Sequence, residues 1–419
     1  MSIWRFPRVA CSLFVLVCVY APGLGADPLP PPQTDLHINA ALMLNQLVAQ
    51  TVARHPEQAM LTGIAAADRA VQAESGRWLA EPATLSLTLF DDTLASDVGL
   101  RELEAGISLP LYWRGQQRQR RRLAEHSGQV SQAADAAVRL QVAGEIRRRL
   151  WAVVRTDNEA AQAKQAWQIA RALEQDVAKR VAVGDLAKTA LLTAQAETLA
   201  RQSAYLDAEQ ALQEAWQGYT MLTGRDELPH DFRETQTGRE QITPDHPRIA
   251  QTRARLQQQQ AELAVTRADT HAHPSLTLGG RRERGSDAGP TINSVSIGVS
   301  IPLGAKGVQG RELAAAQREL GTLKRNLQAL YRELELALHQ ASRQLATQRQ
   351  GLVTAERQQQ LAMTRLTLAR KAFALGETDV AELLDAQNNA FAARRAKRAR
   401  RIGMQAAIAE YNQAIGVTP

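Results

Sequence analysis

The stretch "LGETDVAELLDAQ" at Leu375–Gln387 repeats the pattern of "VGDLAKTALLTAQ" at Val183–Gln195, which lies 192 positions earlier. The Gly, the Leu-Leu pair and the Ala-Gln pair occupy the same places in both stretches. A repeat of this kind defines the architecture before any local element does. We therefore interpret the chain as two copies of one unit.

The repeat extends along most of the chain. Three more pairs of segments match in the same order: Gly106–Leu111 with Gly298–Leu303, His-Pro at 55 with His-Pro at 246, and Tyr219–Gly224 with Tyr411–Gly416. The tetrapeptide Ser-Leu-Thr-Leu recurs at an offset of 189. The segment after it thus changes length between the copies, as loops do.

Each unit is predicted to contain two strands, because apolar and small or polar residues alternate there. The predicted strands cover about 82–90 and 104–113 in the first unit, and about 274–280 and 293–304 in the second. One face is apolar, which fits either a sheet over a soluble core or a lipid-facing barrel.

A long helix follows each pair of strands. Proline is absent between Leu111 and Leu228 and between Leu303 and Thr418, and good helix formers dominate both spans. We predict helices over about 115–182 and 307–374, each roughly 100 Å long. Leucines at 313, 320, 327 and 334 indicate a coiled-coil seam in the second helix.

The helices are predicted to end at hairpin tips, at 183–185 and 375–378, where a glycine can turn the chain. The first repeat then covers 27–224, a connecting segment covers 225–245, and the second repeat covers 246–419. Asp185, or Thr378 and Asp379, can cap the helices that return from the tips.

The first 26 residues read as an export signal, with two arginines before an apolar run and small residues after it. An uncleaved anchor is the alternative, although the run is shorter than the ~20 residues that span a bilayer. Both cysteines lie in this segment, so no thiol or disulfide chemistry is predicted for the mature chain. The net charge of +7 includes basic clusters without interleaved aromatics, and we expect them to be solvated or to face lipid headgroups rather than nucleic acid.

With its duplicated helix-strand-strand-long helix-turn-helix unit, its "SLPLYWRG" at Ser108–Gly115 and its glycine tips, the chain resembles the TolC-type outer-membrane efflux family over nearly its whole mature length. The resemblance implies a mainly α-helical homotrimer: a transmembrane twelve-stranded β-barrel in the outer membrane on a long periplasmic α-helical barrel. Its implied partners are outer-membrane lipid, a periplasmic adaptor and an inner-membrane pump. Chain length suggests the heavy-metal branch, with drug or other small-molecule efflux as the alternative.

The resemblance also implies where the periplasmic aperture lies. Acidic residues that line it in the family correspond to Glu382 and Asp385, which share a helix face. Three chains would bring six such carboxylates around one opening and attract cations. The first copy has Ala190 and Thr193 at these places. The alternative is two solvent-facing acids on a surface helix.

The hairpin tips are expected to meet the adaptor, through Val183, Gly184, Leu375 and Gly376. The alternative role of these glycines is only to let the chain turn, and both roles are compatible.

No catalytic, cofactor or metal site is predicted. His271 and His273 would need a further ligand, and none is indicated nearby. Family members are ducts rather than enzymes, and no catalytic grouping stands out here. A soluble periplasmic coiled-coil adaptor or scaffold is the alternative function.

Overall fold

The computed structural model describes residues 36–94, 98–269, 273–302 and 309–419. The predicted signal peptide, His271 and the predicted helix start at 307 lie outside these ranges. The elements in chain order are β1 (Ile38–Asn39), α1 (Leu44–Val52), α2 (Glu57–Ser75), β2 (Thr84–Asp91), β3 (Arg101–Pro110), α3 (Gln116–Ala182), α4 (Lys188–Thr223), β4 (Leu228–Pro229), α5 (Pro247–Ala268), β5 (Ser275–Arg284), β6 (Thr291–Ser300), α6 (Gln309–Ala374) and α7 (Val380–Ala414).

Two long helical hairpins, α3–α4 and α6–α7, dominate the molecule. Their first helices have 67 and 66 residues and are therefore roughly 100 Å long. α3 packs against α4 and α7, and α6 packs against α7, so the side-by-side order is α4, α3, α7, α6. Among the described residues, none of the helices is both long and apolar enough to cross a membrane.

The helix α3 is packed tightly at its middle because Gly144 lets α7 approach closely. A Cβ at Gly144 would stand 2.7 Å from the side-chain amide of Gln413. That amide instead donates to the Leu140 carbonyl over 2.9 Å. Of the four leucines in the predicted seam of α6, only Leu334 is buried, and the other three are half-buried.

The four longer strands form one antiparallel sheet in the order β2-β3-β5-β6. The central pair, β3 with β5, joins the two repeats. Leucines of β2 and branched residues of β6 are exposed on one face: Leu85, Leu87, Leu89, Val295, Ile297 and Val299. The residues that alternate with these along each strand are small or polar and lie on the opposite face, so each strand has an apolar side and a polar side.

Two strands end earlier than the alternation predicts. β3 stops at Pro110 instead of continuing to Trp113, because β2 begins opposite Ser108 and β5 begins opposite Pro110. Beyond that point Leu111 forms an isolated bridge with Leu79 and donates to the Pro274 carbonyl over 2.7 Å. β6 likewise stops at Ser300, which faces the first residue of β5. Of the predicted end of this strand, 303 and 304 lie outside the described residues.

The same sheet extends further than predicted at its other end. β5 runs to Arg284 instead of about 280, and β3 begins at Arg101. Arg281 of β5 pairs across the strands with Glu102 of β3, its Nε lying 2.6 Å from a carboxylate oxygen, and along its own strand with Glu283, with Nη2 2.9 Å from a carboxylate oxygen. Opposite charges on neighbouring strands stabilise a pairing that their polarity alone would not predict.

The connecting segment predicted over 225–245 is part of the central core. β4 pairs in parallel with β1, and Phe232 is buried against Trp151 of α3. Arg147, which is also buried, donates to both carboxylate oxygens of Glu234, from Nε at 2.8 Å and from Nη2 at 2.6 Å. The segment therefore fixes the middle of α3 from one side.

The two His-Pro dipeptides have the same local structure. The side chain of His55 accepts a hydrogen bond from the Glu57 N–H (3.3 Å), and that of His246 accepts one from the Arg248 N–H (3.2 Å). Burial, followed by the charge of Arg248, lowers the pKa of His246 to about 4. The ring packs against Gly416, where a Cβ would lie 2.6 Å from it.

Candidate functional site

The first hairpin tip turns through a left-handed glycine. Gly184 has a φ of 82° and donates to the Val181 carbonyl over 3.1 Å. The Asp185 N–H donates to the Arg180 carbonyl over 2.9 Å. These two bonds form a Schellman motif, which ends α3 and leaves Val183 80% exposed.

The second tip has the same geometry. Gly376 has a φ of 75° and donates to the Phe373 carbonyl over 3.2 Å. The Glu377 N–H donates to the Ala372 carbonyl over 2.9 Å. Leu375 is 74% exposed at the same place as Val183 in the first tip. A Cβ on either tip glycine would meet no atom within 4 Å, so positive φ alone selects glycine here.

The two tips lie beside each other and share one apolar cluster. Its buried members are Val177, Ala194, Leu366, Phe373, Val380, Leu383, Leu384, Ala386 and Ala390. Arg180 adds a polar connection: its guanidinium lies 4.7 Å from the ring centre of Phe373, and its Nε is 2.6 Å from an Asp185 carboxylate oxygen. Asp185 therefore pairs with Arg180 and does not cap α4.

Asp379 caps α7, one of the two capping options for this helix. Its side chain accepts a hydrogen bond from the Glu382 N–H over 2.8 Å. The cap starts the helix so that Leu383 and Leu384 are buried while Glu382 and Asp385 are exposed. Both carboxylates thus lie on the outward side of α7, one turn apart.

The two carboxylates have different surroundings. Asp385 accepts from Arg365 of α6 over 2.6 Å and from the Asn389 amide over 3.1 Å. Glu382 has no ion-pair partner among the described residues. The face therefore carries one compensated and one uncompensated acid, a net charge of about −1 instead of −2 per chain.

The first hairpin offers no comparable charge. Ala190 is half-buried against the tip cluster. The Thr193 hydroxyl donates to the Thr189 carbonyl over 3.0 Å. At these equivalent positions, only the second hairpin has carboxylates.

Sequence reasoning missed Arg365, although a signal was present. In an antiparallel hairpin, residues equidistant from the tip face each other, and Arg365 and Asp385 are each ten positions from Leu375. Counting outward from the tip would have found the pair.

The part of the chain that the structure describes contains no group of three or more His, Cys, Asp or Glu placed to hold a metal ion. His273 lies edge-on to Tyr112, with the ring centres 5.9 Å apart. The hairpin tips therefore remain the candidate site.

Comparisons with known proteins agree with this architecture. No family model matches the chain. The cobalt-zinc-cadmium resistance protein CzcC of Cupriavidus metallidurans is 26% identical over 326 residues, which is 73% of this chain and 74% of CzcC.

Solved structures share the fold at low sequence identity. The CusC structure, described in terms of transmembrane channel formation, superposes with a TM-score of 0.69 at 17% identity and covers 96% of this chain and 100% of its own. The CmeC outer membrane channel of Campylobacter jejuni gives a TM-score of 0.67 at 17% identity, with 89% and 85% covered. The resemblance predicted from the sequence is thus confirmed, and the chain has the fold of the TolC-type outer-membrane efflux proteins.

Proposed function

We propose that the chain is the outer-membrane duct of a tripartite efflux system, which passes substrates from an inner-membrane pump and a periplasmic adaptor to the cell exterior. The observation that carries this is an antiparallel sheet with an exposed apolar face at one end of two hairpins roughly 100 Å long. Large exposed apolar patches mark interaction surfaces, and strands with one apolar and one polar face fit a barrel wall in contact with lipid. A soluble adaptor would leave this face exposed to water. The shared fold also favours a channel over an adaptor or an enzyme.

The proposed assembly is a homotrimer with a closed barrel. β2 and β6 each pair on one side only within the described residues, so the sheet has two free edges. Open edges do not occur in lipid, and about eight strands is the smallest natural barrel. Three copies that pair β2 with the next β6 would close a twelve-stranded barrel.

The long helices support the same assembly. α4 and α6 lie at the two edges of the helical layer, and each exposes leucines at a seven-residue spacing. These are Leu192, Leu199 and Leu206 on α4, and Leu361 and Leu368 on α6. A heptad stripe that finds no partner in its own chain is suited to a coiled-coil contact with the next chain.

The tips are proposed to dock the adaptor. Val183 and Leu375 are largely exposed beside their glycines, although an apolar cluster lies directly behind them. Exposed apolar side chains on rigid turns are suited to insertion into a partner's pocket.

The cargo is proposed to be metal cations, as the name of CzcC suggests for that protein. Three chains would place three uncompensated Glu382 carboxylates around the aperture, with three Asp385–Arg365 pairs near them. The ring would therefore attract cations mainly through Glu382, and Arg365 would weaken it.

Conductance in a planar bilayer tests the ring. We expect Glu382→Gln to weaken divalent-cation block and Arg365→Gln to strengthen it. Three unit charges at about 10 Å from a divalent cation in water sum to about 2.5 kcal/mol, or nearly two powers of ten in apparent affinity. Glu377→Gln at the exposed tip is the matched control. Changes of the same sign for both variants would remove these residues from the site.

A further inference from the structure

A row of arginines marks the start of α3. Arg114, Arg118 and Arg122 follow one another at a spacing of four residues and are all exposed. Arg118 and Arg122 lie in α3 on one side of the helix, and Arg114 precedes the helix by two residues. We name these three residues the arginine stripe.

The stripe lies on the side of α3 that faces away from its neighbours. Arg120 projects in roughly the opposite direction, given the ~3.6 residues of a helical turn. It pairs with Glu74 of α2 and, over 2.6 Å, with Asp269 at the end of α5. Gln116 on the same inner side donates to the Ala268 carbonyl over 3.0 Å. Since α2 and α5 both pack on the inner side, the stripe faces out of the helical layer.

The stripe is also close to the sheet. α3 begins at Gln116, six residues after the end of β3. The guanidinium of Arg118 folds back to within 3.9 Å of the point where a Cβ on Gly115 would stand. Arg122 lies roughly 10 Å beyond Gly115 along the helix axis, at about 1.5 Å per residue. A headgroup layer is roughly 5 to 7 Å thick on each side of a bilayer core, so the first two arginines lie at its depth if the sheet spans that core.

Among the residues that the structure describes, none neutralises the charge of the stripe. None of the three arginines forms an ion pair with a described acid. Glu125, which follows Arg122 by three positions on the same helix and is exposed, is not paired with them. The second repeat has Gly310 and Ala314 in place of Arg118 and Arg122. A helix of the same length therefore does not need these charges for solubility.

We propose that the arginine stripe binds the phosphate groups of anionic phospholipids in the leaflet that meets the start of α3. The proposal rests on the proposed function, which places the sheet in a membrane. A guanidinium binds a phosphate through two parallel hydrogen bonds. Three neighbouring arginines can therefore bind more than one lipid headgroup. Binding of these phosphates would also fix the depth at which the barrel sits in the membrane.

Lipid selectivity of the reconstituted full chain tests this. The protein is inserted into vesicles of phosphatidylcholine, and the association of spin-labelled phosphatidylglycerol is measured against that of spin-labelled phosphatidylcholine. We expect Arg114→Gln with Arg118→Gln, the two arginines at headgroup depth, to weaken the preference for phosphatidylglycerol by about fivefold per arginine, because each basic residue near an anionic surface contributes on that order. The preference of the unchanged chain should fall in 1 M salt.

The matched control is Arg395→Gln with Arg398→Gln on α7, two exposed arginines far along the chain from the sheet. An unchanged preference in the stripe variant, or an equal loss in the control, would overturn the proposal. Failure of the unchanged chain to float with vesicles would instead overturn the proposed function, and the lipid proposal with it. Vesicle insertion without headgroup preference would overturn the lipid proposal alone.

Discussion

Replacing Leu199 by alanine should dissociate the proposed trimer without unfolding the protomer. Leu199 is 66% exposed at the centre of the α4 stripe, so contact with the next chain can still bury about two thirds of its side chain. Leucine to alanine removes three carbons, worth about 2.4 kcal/mol when fully buried, and about 1.6 kcal/mol for the exposed part. The three interfaces of a trimer then lose about 5 kcal/mol, or roughly three to four powers of ten in the assembly constant.

Sedimentation velocity in detergent, over a range of protein concentrations, would measure this change. Circular dichroism should show the same helix content in both proteins, because the substitution removes no contact within the protomer core. Met221→Ala is the matched control, since Met221 is 80% exposed on the same helix but lies off the seven-residue spacing. An unchanged trimer in the Leu199 variant, or equal dissociation by the Met221 variant, would refute the assignment of the stripe.

Three further predictions concern stability, measured as the free energy of unfolding in denaturant. Gly376→Ala should cost about 1 to 2 kcal/mol because φ is 75° there. Gly63→Ala, inside α2 with open space around it, should instead stabilise the protein by up to about 1 kcal/mol. Equal effects of the two substitutions would contradict the backbone argument. Arg147→Ala should cost about 3 to 5 kcal/mol because it leaves the Glu234 carboxylate without its buried partner, and a loss below 1 kcal/mol would show that water replaces it. His246 binds protons less readily in the folded protein, where its pKa is about 4 against an ordinary 6.5. The free energy of unfolding should therefore be highest above pH 6.5 and fall by about 3 kcal/mol towards pH 4. A His246→Gln variant that keeps the same pH dependence would show that other groups cause it.

The sequence predicted what depends on periodicity and repetition. Glycines at the same offset located both hairpin tips, and helical spacing placed Glu382 and Asp385 on one exposed face. Each of these features is visible in the residue pattern itself, either within one stretch or by comparing the two copies, without knowing which distant residues come into contact.

What the sequence did not predict depends on partners distant along the chain. Arg365 neutralises Asp385 only because the hairpin folds back on itself. Glu234 belongs to the core only because Arg147, 87 positions earlier, lies beside it. The end of β3 is set by where β2 and β5 begin, which alternation within β3 does not contain. Trimer contacts and adaptor docking stay predictions, since they involve other chains.

Within one chain, β3 of the first repeat pairs with β5 of the second repeat. The contact proposed between chains, β6 with β2 of the next chain, joins a second repeat to a first repeat in the same way. A chain with one repeat would need six copies to build the same ring, and every feature would then occur six times. Duplication halves the number of copies and frees the two halves to differ. One half can then carry the arginine stripe at the sheet end, and the other can carry Glu382 at the tip, so the proposed trimer would be a three-fold arrangement of two specialised halves.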